Sequence, residues 1–202
     1  MDVMRNSKNP VRTSAKEASH ERIVSAAARA IRRSGYGGTG VANIMQEAGL
    51  THGAFYAHFA SREAMLAEAA TRACAESAAT VAQVVASVPP EQALAAMLQA
   101  YLSREHLAQV EQGCPLAALG SETARQAPEV RQTTTRHIKA MVDLVARQSP
   151  DWGQPGAHEA AHARALVTVA TMVGTLLLAR AVDEPALSDR LCAAALQHLA
   201  PA

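Results

Sequence analysis

The stretch Thr39–Phe59, TGVANIMQEAGLTHGAFYAHF, constrains this chain more than any other. Val41, Ala42, Ile44, Met45 and Ala48 recur at helical spacing and make one apolar stripe. Gly49 follows the last of them, where a helix ends at least cost because glycine adopts positive φ. Leu50 can then pack back into the angle. Thr51 is placed to cap a second short helix through its hydroxyl, and Thr39 to cap the first. Ala54, Phe55, His58 and Phe59 follow in that second helix. Two short helices around a glycine turn make a helix-turn-helix, whose second helix fits the major groove of DNA.

Charge follows the same division. Residues 1–62 hold nine Lys and Arg against four Asp and Glu, and residues 63–202 hold ten against fourteen. A basic end on a mildly acidic body suits contact with phosphate at that end, although an uneven surface produces the same pattern. Residues 1–15 are polar, with Arg5, Lys8 and Arg12, and read either as a solvated tail or as an arm lying along DNA.

Residues 16–34 form a first helix, with Ile23, Ala26, Ala27, Ala30 and Ile31 on its buried face. Gly35, Gly37, Gly38 and Gly40 then break the chain. They do not make a nucleotide loop, since no strand precedes them and no Lys-Ser/Thr follows. A long helix starts with Ser61 as N-cap and runs to about Val88, before Pro89-Pro90. Further helices are expected at Glu91–Gln112, about Pro115–Ala124, Glu129–Gln148, Ala157–Val182 and Pro185–Leu199. No segment alternates with period two, so the expected fold is all-α. The expected division is a disordered arm at 1–15, a helix-turn-helix domain at 16–60, and a helical body at 61–202.

Three cysteines, odd in number and widely spaced, fit a reducing compartment rather than a disulfide framework. The apolar run Ala165–Ala179 lies between Arg164 and Arg180 and is too short to span a bilayer, so no membrane partner is expected. With a polar N-terminus, a cytoplasmic location follows.

The residues Gly35-Tyr36, Thr39, Val41-x-x-Ile44, Ala48-Gly49-Leu50, Gly53, Phe55-Tyr56-x-His58-Phe59 and Ser61-Arg62-Glu63-x-x-Leu66 resemble the TetR family of bacterial one-component regulators. The likeness covers about a quarter of the chain. It implies a three-helix DNA-binding head, a fourth helix linking it to a ligand-binding body, and two final long helices paired in a homodimer. It also implies a small effector that changes the spacing of the two heads. Gly40 stands where Ser or Thr is usual in that family, and His52 where Lys or Arg is usual.

The candidate DNA-binding residues are Thr39, Thr51, His52, Gly53, Tyr56, His58 and Arg62. Hydroxyls and backbone N–H groups at a helix start bind phosphate, and Gly53 permits close approach of the backbone. Arg62 resembles the family's basic phosphate contact at the start of the fourth helix. His58 is either a phosphate contact or a packing residue. Met97, Tyr101, Cys114, His137, Met141 and Met172 are the candidate ligand-binding residues, although the same spacing also builds plain core. The function expected is a ligand-responsive repressor of a palindromic double-stranded DNA operator, released by a small apolar molecule. It is no enzyme, and needs no cofactor or metal.

Three alternatives remain, one of them an architectural DNA binder with little sequence preference. Cys114, in Gly-Cys-Pro-Leu at a helix start, suits a redox or electrophile sensor as well as a buried pocket residue. His158-Glu159-x-x-His162 matches a zinc-hydrolase pattern, but a third ligand and a cleft are not evident.

Overall fold

The computed structural model describes residues 10–200. Among them the chain is all-α, with no strand. The helices are α1 (Pro10–Ser34), α2 (Val41–Glu47), α3 (Arg62–Ala86), α4 (Ala93–Tyr101), α5 (Arg104–Ala108), α6 (Pro115–Thr123), α7 (Pro128–Ala146), α8 (His158–Ala181) and α9 (Pro185–Leu199). Short 3-10 segments lie at His52–Ala57, Pro90–Gln92 and Val110–Gln112.

The punctuation is local and chemical. Gly35 ends α1 at φ 73°, and Gly49 ends α2 at φ 69°. Gly49 N donates to Gln46 O at 3.0 Å and Leu50 N to Met45 O at 2.9 Å, the paired bonds that close a helix on a left-handed glycine. Ser61 caps α3, its Oγ accepting from Ala64 N at 3.1 Å. Proline opens α6, α7 and α9, where its missing N–H costs nothing.

Three expectations change. Helix α1 begins at Pro10, so residues 10–15 of the expected arm are helical; residues 1–9 lie outside the described part. The expected Glu91–Gln112 helix is broken at Leu102–Ser103, because Ser103 Oγ accepts from His106 N at 3.1 Å and starts α5. The second helix of the DNA-binding unit is a 3-10 segment of six residues. A run this short, with Gly53 inside it, closes more cheaply in tight turns than in α geometry.

Two cores result. One joins Ile23, Ala27 and Ile31 of α1 to Ile44, Met45, Phe55 and Phe59, and is completed by Met65, Leu66 and Ala69 of α3, Leu119 of α6 and Val130 of α7. The other fills the body between α4, α6, α7, α8 and α9. Helix α8 is long and apolar enough, by length and composition, to cross a membrane, which the sequence reading did not expect. It packs against α6, α7 and α9, and Leu166, Val167, Leu177 and Leu178 of its outer faces are exposed.

Candidate DNA interface and body cavity

The outer face of the head is built by burying the aromatics beside it. Phe55 and Phe59 are 3% and 4% exposed and stack with centroids 5.5 Å apart. Burying Phe55 turns its neighbours outward. Tyr56 is 74% exposed, meeting Phe55 edge-on, and Thr51, His52 and Gly53 are exposed. A Cβ at Gly53 or at Gly40 would meet nothing within 4 Å, so neither glycine is required by the protein's own packing. Thr51 adopts the extended N-cap backbone, but its side chain makes no cap bond; Thr51 O accepts from Ala54 N at 3.0 Å instead. Its hydroxyl therefore stays available on the outer face.

Two of the candidates turn inward. Thr39 is 4% exposed, and its hydroxyl donates to Gly35 O at 2.6 Å, tying down the end of α1. Gly40, rather than Thr39, is the N-cap of α2, with no side-chain bond. Arg62 is half-buried, and its Nη2 donates to Tyr36 O and, at 3.1 Å, to Thr39 O. It straps the glycine loop to the start of α3 instead of projecting toward phosphate. His58 is half-buried between these extremes: its ring lies 5.8 Å from that of His20, and its Nδ1 is buried without a partner among the described residues. Burial, with the nearby His20 and Lys16 charges, holds its pKa below the ordinary value.

The body contains a cavity of about 400 Å³ between α3, α4 and the segment 103–114. Of the six ligand candidates, Met97, Tyr101 and Cys114 line it together. His137, Met141 and Met172 do not. Met141 and Met172 are core of the body, and His137 is buried on α7 with Nε2 unpartnered among the described residues and its pKa lowered by burial. Helical spacing marks a buried face; the neighbouring helices decide whether that face meets a cavity.

Ser77 and His106, also in the lining, went unread in the sequence. His106 organises the inner wall. Its Nδ1 lies 2.6 Å from Tyr101 O, and its Nε2 accepts from Cys114 N at 3.0 Å. These partners require a neutral ring that donates through Nδ1. Burial, with the Arg180 charge, lowers its pKa accordingly, against the raising effect of the Tyr101 carbonyl. The one local signal was Ser103, three residues upstream, as a helix cap.

Several bonds tie this wall to the head. Arg32, at the end of α1, is 3% exposed; it donates to Glu76 at 2.6 Å and to Gly113 O at 3.5 Å. Arg33 pairs with Glu111 at 2.7 Å. From α6, the Glu122 carboxylate accepts from Tyr36 N at 3.0 Å and Gly37 N at 3.3 Å.

The zinc pattern is dispersed. His158 stacks on Trp152 at 4.3 Å, and His162 Nε2 lies 2.8 Å from Asp143 Oδ1. No group of three His, Cys, Asp or Glu placed to hold a metal occurs among the described residues.

The sequence model of the bacterial regulatory proteins of the tetR family matches residues 23–69, and that of the LmrA/YxaF-like transcriptional regulator C-terminal domain matches residues 90–187. The chain belongs to the TetR family. Within it, an uncharacterized HTH-type transcriptional regulator of Mycobacterium tuberculosis is 28% identical over 166 residues, 79% of this chain and 83% of its own. A TetR transcriptional regulator from Chloroflexus aurantiacus has the same fold, with a TM-score of 0.77 and 24% identity over 92% of this chain and 96% of that one. Escherichia coli NemR in its reduced form superposes with a TM-score of 0.74 at 18% identity over 90% and 95%. Like other TetR-family members, this chain is a DNA-binding transcriptional regulator.

Proposed function

We propose that this regulator is a homodimeric, cytoplasmic repressor of a palindromic operator, which releases DNA when a small, mostly apolar molecule occupies the cavity beside α3 and α4. Residues 16–60 then serve DNA binding, and residues 61–202 serve ligand binding and dimerisation. Thr51, His52, Gly53 and Tyr56 are the residues offered to DNA, with His58 at their edge.

The observation that carries the reading is the position of the stretch 109–122. Its Gly113 and Cys114 belong to the cavity wall, while Gly113 O and the Glu122 carboxylate hold Arg32, Tyr36 and Gly37 of the head. A molecule that shifts this stretch acts on both. Linkage then requires that the ligand bind the DNA-incompetent arrangement more tightly. The exposed Leu166, Val167, Leu177 and Leu178 of α8 support the dimer, since an apolar surface of this kind is covered by a partner and a two-fold pair matches a palindrome.

The test is fluorescence anisotropy on DNA from upstream of its own gene, against random DNA, across a salt series. Specific binding tighter by roughly a thousandfold or more is expected. Equal weak binding to both would replace an operator-reading repressor with a nonspecific architectural binder.

The position of Cys114 favours a second reading. It lines the cavity and immediately precedes α6. Under that reading, oxidant-induced DNA release is abolished in Cys114→Ser. Retained release in the variant would end it.

A further inference from the structure

A chain that binds DNA needs cations that its own fold has not already engaged, since phosphate contacts supply most of the sequence-independent attraction. The outer segment that carries Thr51, His52 and Tyr56 has none: no Lys or Arg occurs from Ala48 to Ser61. Of the six Lys and Arg between residues 16 and 62, four are held internally. Arg29 pairs with Glu47 at 2.8 Å, Arg33 with Glu47 and, at 2.7 Å, with Glu111, and Arg32 with Glu76 at 2.6 Å. Arg62 is held by the carbonyls of Tyr36 and Thr39. Lys16 and Arg22 are left exposed, with no ion pair among the described residues.

A larger group of exposed, unpaired cations lies at the start of α7. Residues 125–139 hold Arg125, Arg131, Arg136 and Lys139 against Glu129 alone, while the rest of residues 63–202 holds six Lys and Arg against thirteen Asp and Glu. All four cations are exposed, and none makes an ion pair among the described residues; Arg136 Nη2 donates to the Thr133 hydroxyl at 2.8 Å. Arg131 and Arg136 flank a shallow hollow lined also by Pro128, Gln132 and Thr135. Guanidinium and carboxamide donors around an open hollow suit phosphate oxygens. The register of α7 on α3 places this group. Val130 packs into the head's core with Met65, Leu66 and Ala69, Thr133 Oγ1 lies 3.3 Å from Thr71 Oγ1, and the Arg136 charge reaches Cys74. The two helices therefore leave the head side by side in the same direction. Arg125, Arg131 and Arg136 stand at the head's end of α7, and Arg147 at its far end.

We propose that Arg125, Arg131 and Arg136 form a second DNA-contacting surface, which takes the phosphate backbone of the same duplex beside the outer face of the head. The head meets DNA with shape and neutral donors, and the start of α7 supplies charge that the head lacks. The proposal rests on DNA binding alone, and needs neither the effector cavity nor a palindromic operator.

The test is fluorescence anisotropy of the full chain on DNA from upstream of its own gene and on random DNA, each across a salt series. Arg131→Ala with Arg136→Ala should weaken binding to both DNAs by about tenfold or more, and reduce the salt slope by about two units or more. Both residues are exposed, so the pair should keep the wild-type circular dichroism spectrum. Arg131→Lys with Arg136→Lys keeps the charge and should retain the slope. Arg125→Ala should reduce the slope by about one unit, and Arg147→Ala, at the far end of the helix, should leave it unchanged. The proposal is overturned if the alanine pair keeps the wild-type slope, or if Arg147→Ala reduces it as much, which would make the effect one of net charge. Loss on upstream DNA with random DNA unaffected would also overturn it, because a backbone contact serves both. Equal weak binding of the wild type to both DNAs removes only the operator-reading repressor, and the same variants still decide whether α7 contributes.

Discussion

The head and the body treat their polar groups in opposite ways. On the head, the polar groups beside the buried aromatics are wet: Thr51, His52 and Tyr56 stand in solvent. In the body, comparable polar groups are dry: Tyr101 OH, His137 Nε2 and Arg180 Nη1 are buried. A highly charged polymer can meet a convex, preformed surface whose donors pay little desolvation in advance. A small ligand contributes few contacts, so each must be made in an enclosed, low-dielectric place where it counts for more.

The largest break in this contrast comes from emptying the head. Phe55→Ala should lower stability by about 3–5 kcal/mol, read as a fall in the urea midpoint by circular dichroism. A cost no greater than that of Ile138→Ala on the exposed side of α7 would show that the head is not the tightly packed unit described. Next come two glycines of opposite character. Gly113 has φ −78°, so Gly113→Ala carries no backbone penalty; its Cβ would press on Arg180 Nη2, Gln109 O and His106 Nε2 at 2.8 to 3.0 Å. It should cost about 1–3 kcal/mol of stability. Gly53→Ala, facing open space, should leave the urea midpoint unchanged or slightly raised, yet weaken DNA binding by about tenfold, or 1.4 kcal/mol. If the two variants behaved alike, the difference between a wet and a packed surface would fail at the glycines.

Arg62 sharpens the contrast further. Its bonds to Tyr36 O and Thr39 O make it part of the head's scaffold, so Arg62→Ala should cost about 1–2 kcal/mol of stability and leave the salt slope of DNA binding unchanged. A slope reduced by about one unit would instead return it to the phosphate contacts. The smallest effect concerns pH. His106 and His137 are held below the ordinary value of 6.5 by burial. The unfolded chain then binds more protons than the folded one below that value, so stability falls as pH drops below about 6.5 and is level above it. His137→Gln should flatten part of the acid-side loss seen in thermal melts, and an unchanged slope would show that His137 does not contribute to it.

What was legible in the sequence was whatever is fixed locally. The turn at Gly49–Leu50 and the cap at Ser61 depend on residues at most five apart, and both stand as read. The exposed side of the segment His52–Ala57 was legible for the same reason, since Phe55 within it and Phe59 just after it fix the inner side. The inward bonds of Thr39 and Arg62 were not legible, because their partners, Gly35 O and Tyr36 O, are backbone groups of the glycine loop that no side-chain pattern reveals. The cavity was half legible. Met97, Tyr101 and Cys114 share it, but Met141 and Met172 look identical in periodicity and are core. Arg180, noticed only as the polar end of an apolar run, gains its meaning from Leu107 and His106, more than seventy residues away.

Glu122 has a consequence for exchanging parts between related regulators. Its carboxylate receives two amide hydrogens from the turn after α1, and sits 2.2 Å from where a Cβ on Gly35 would be. Leu119 and Val130 meanwhile plug the underside of the head's core. A cut at residue 60, natural as it looks in the sequence, would therefore lift the reading head off its own floor. A hybrid regulator would need its new sensor half to arrive with an acid opposite the turn and two aliphatic plugs beneath it. The boundary to respect in splicing such chains is a surface threaded through α3, α6 and α7, with no single peptide bond to mark it.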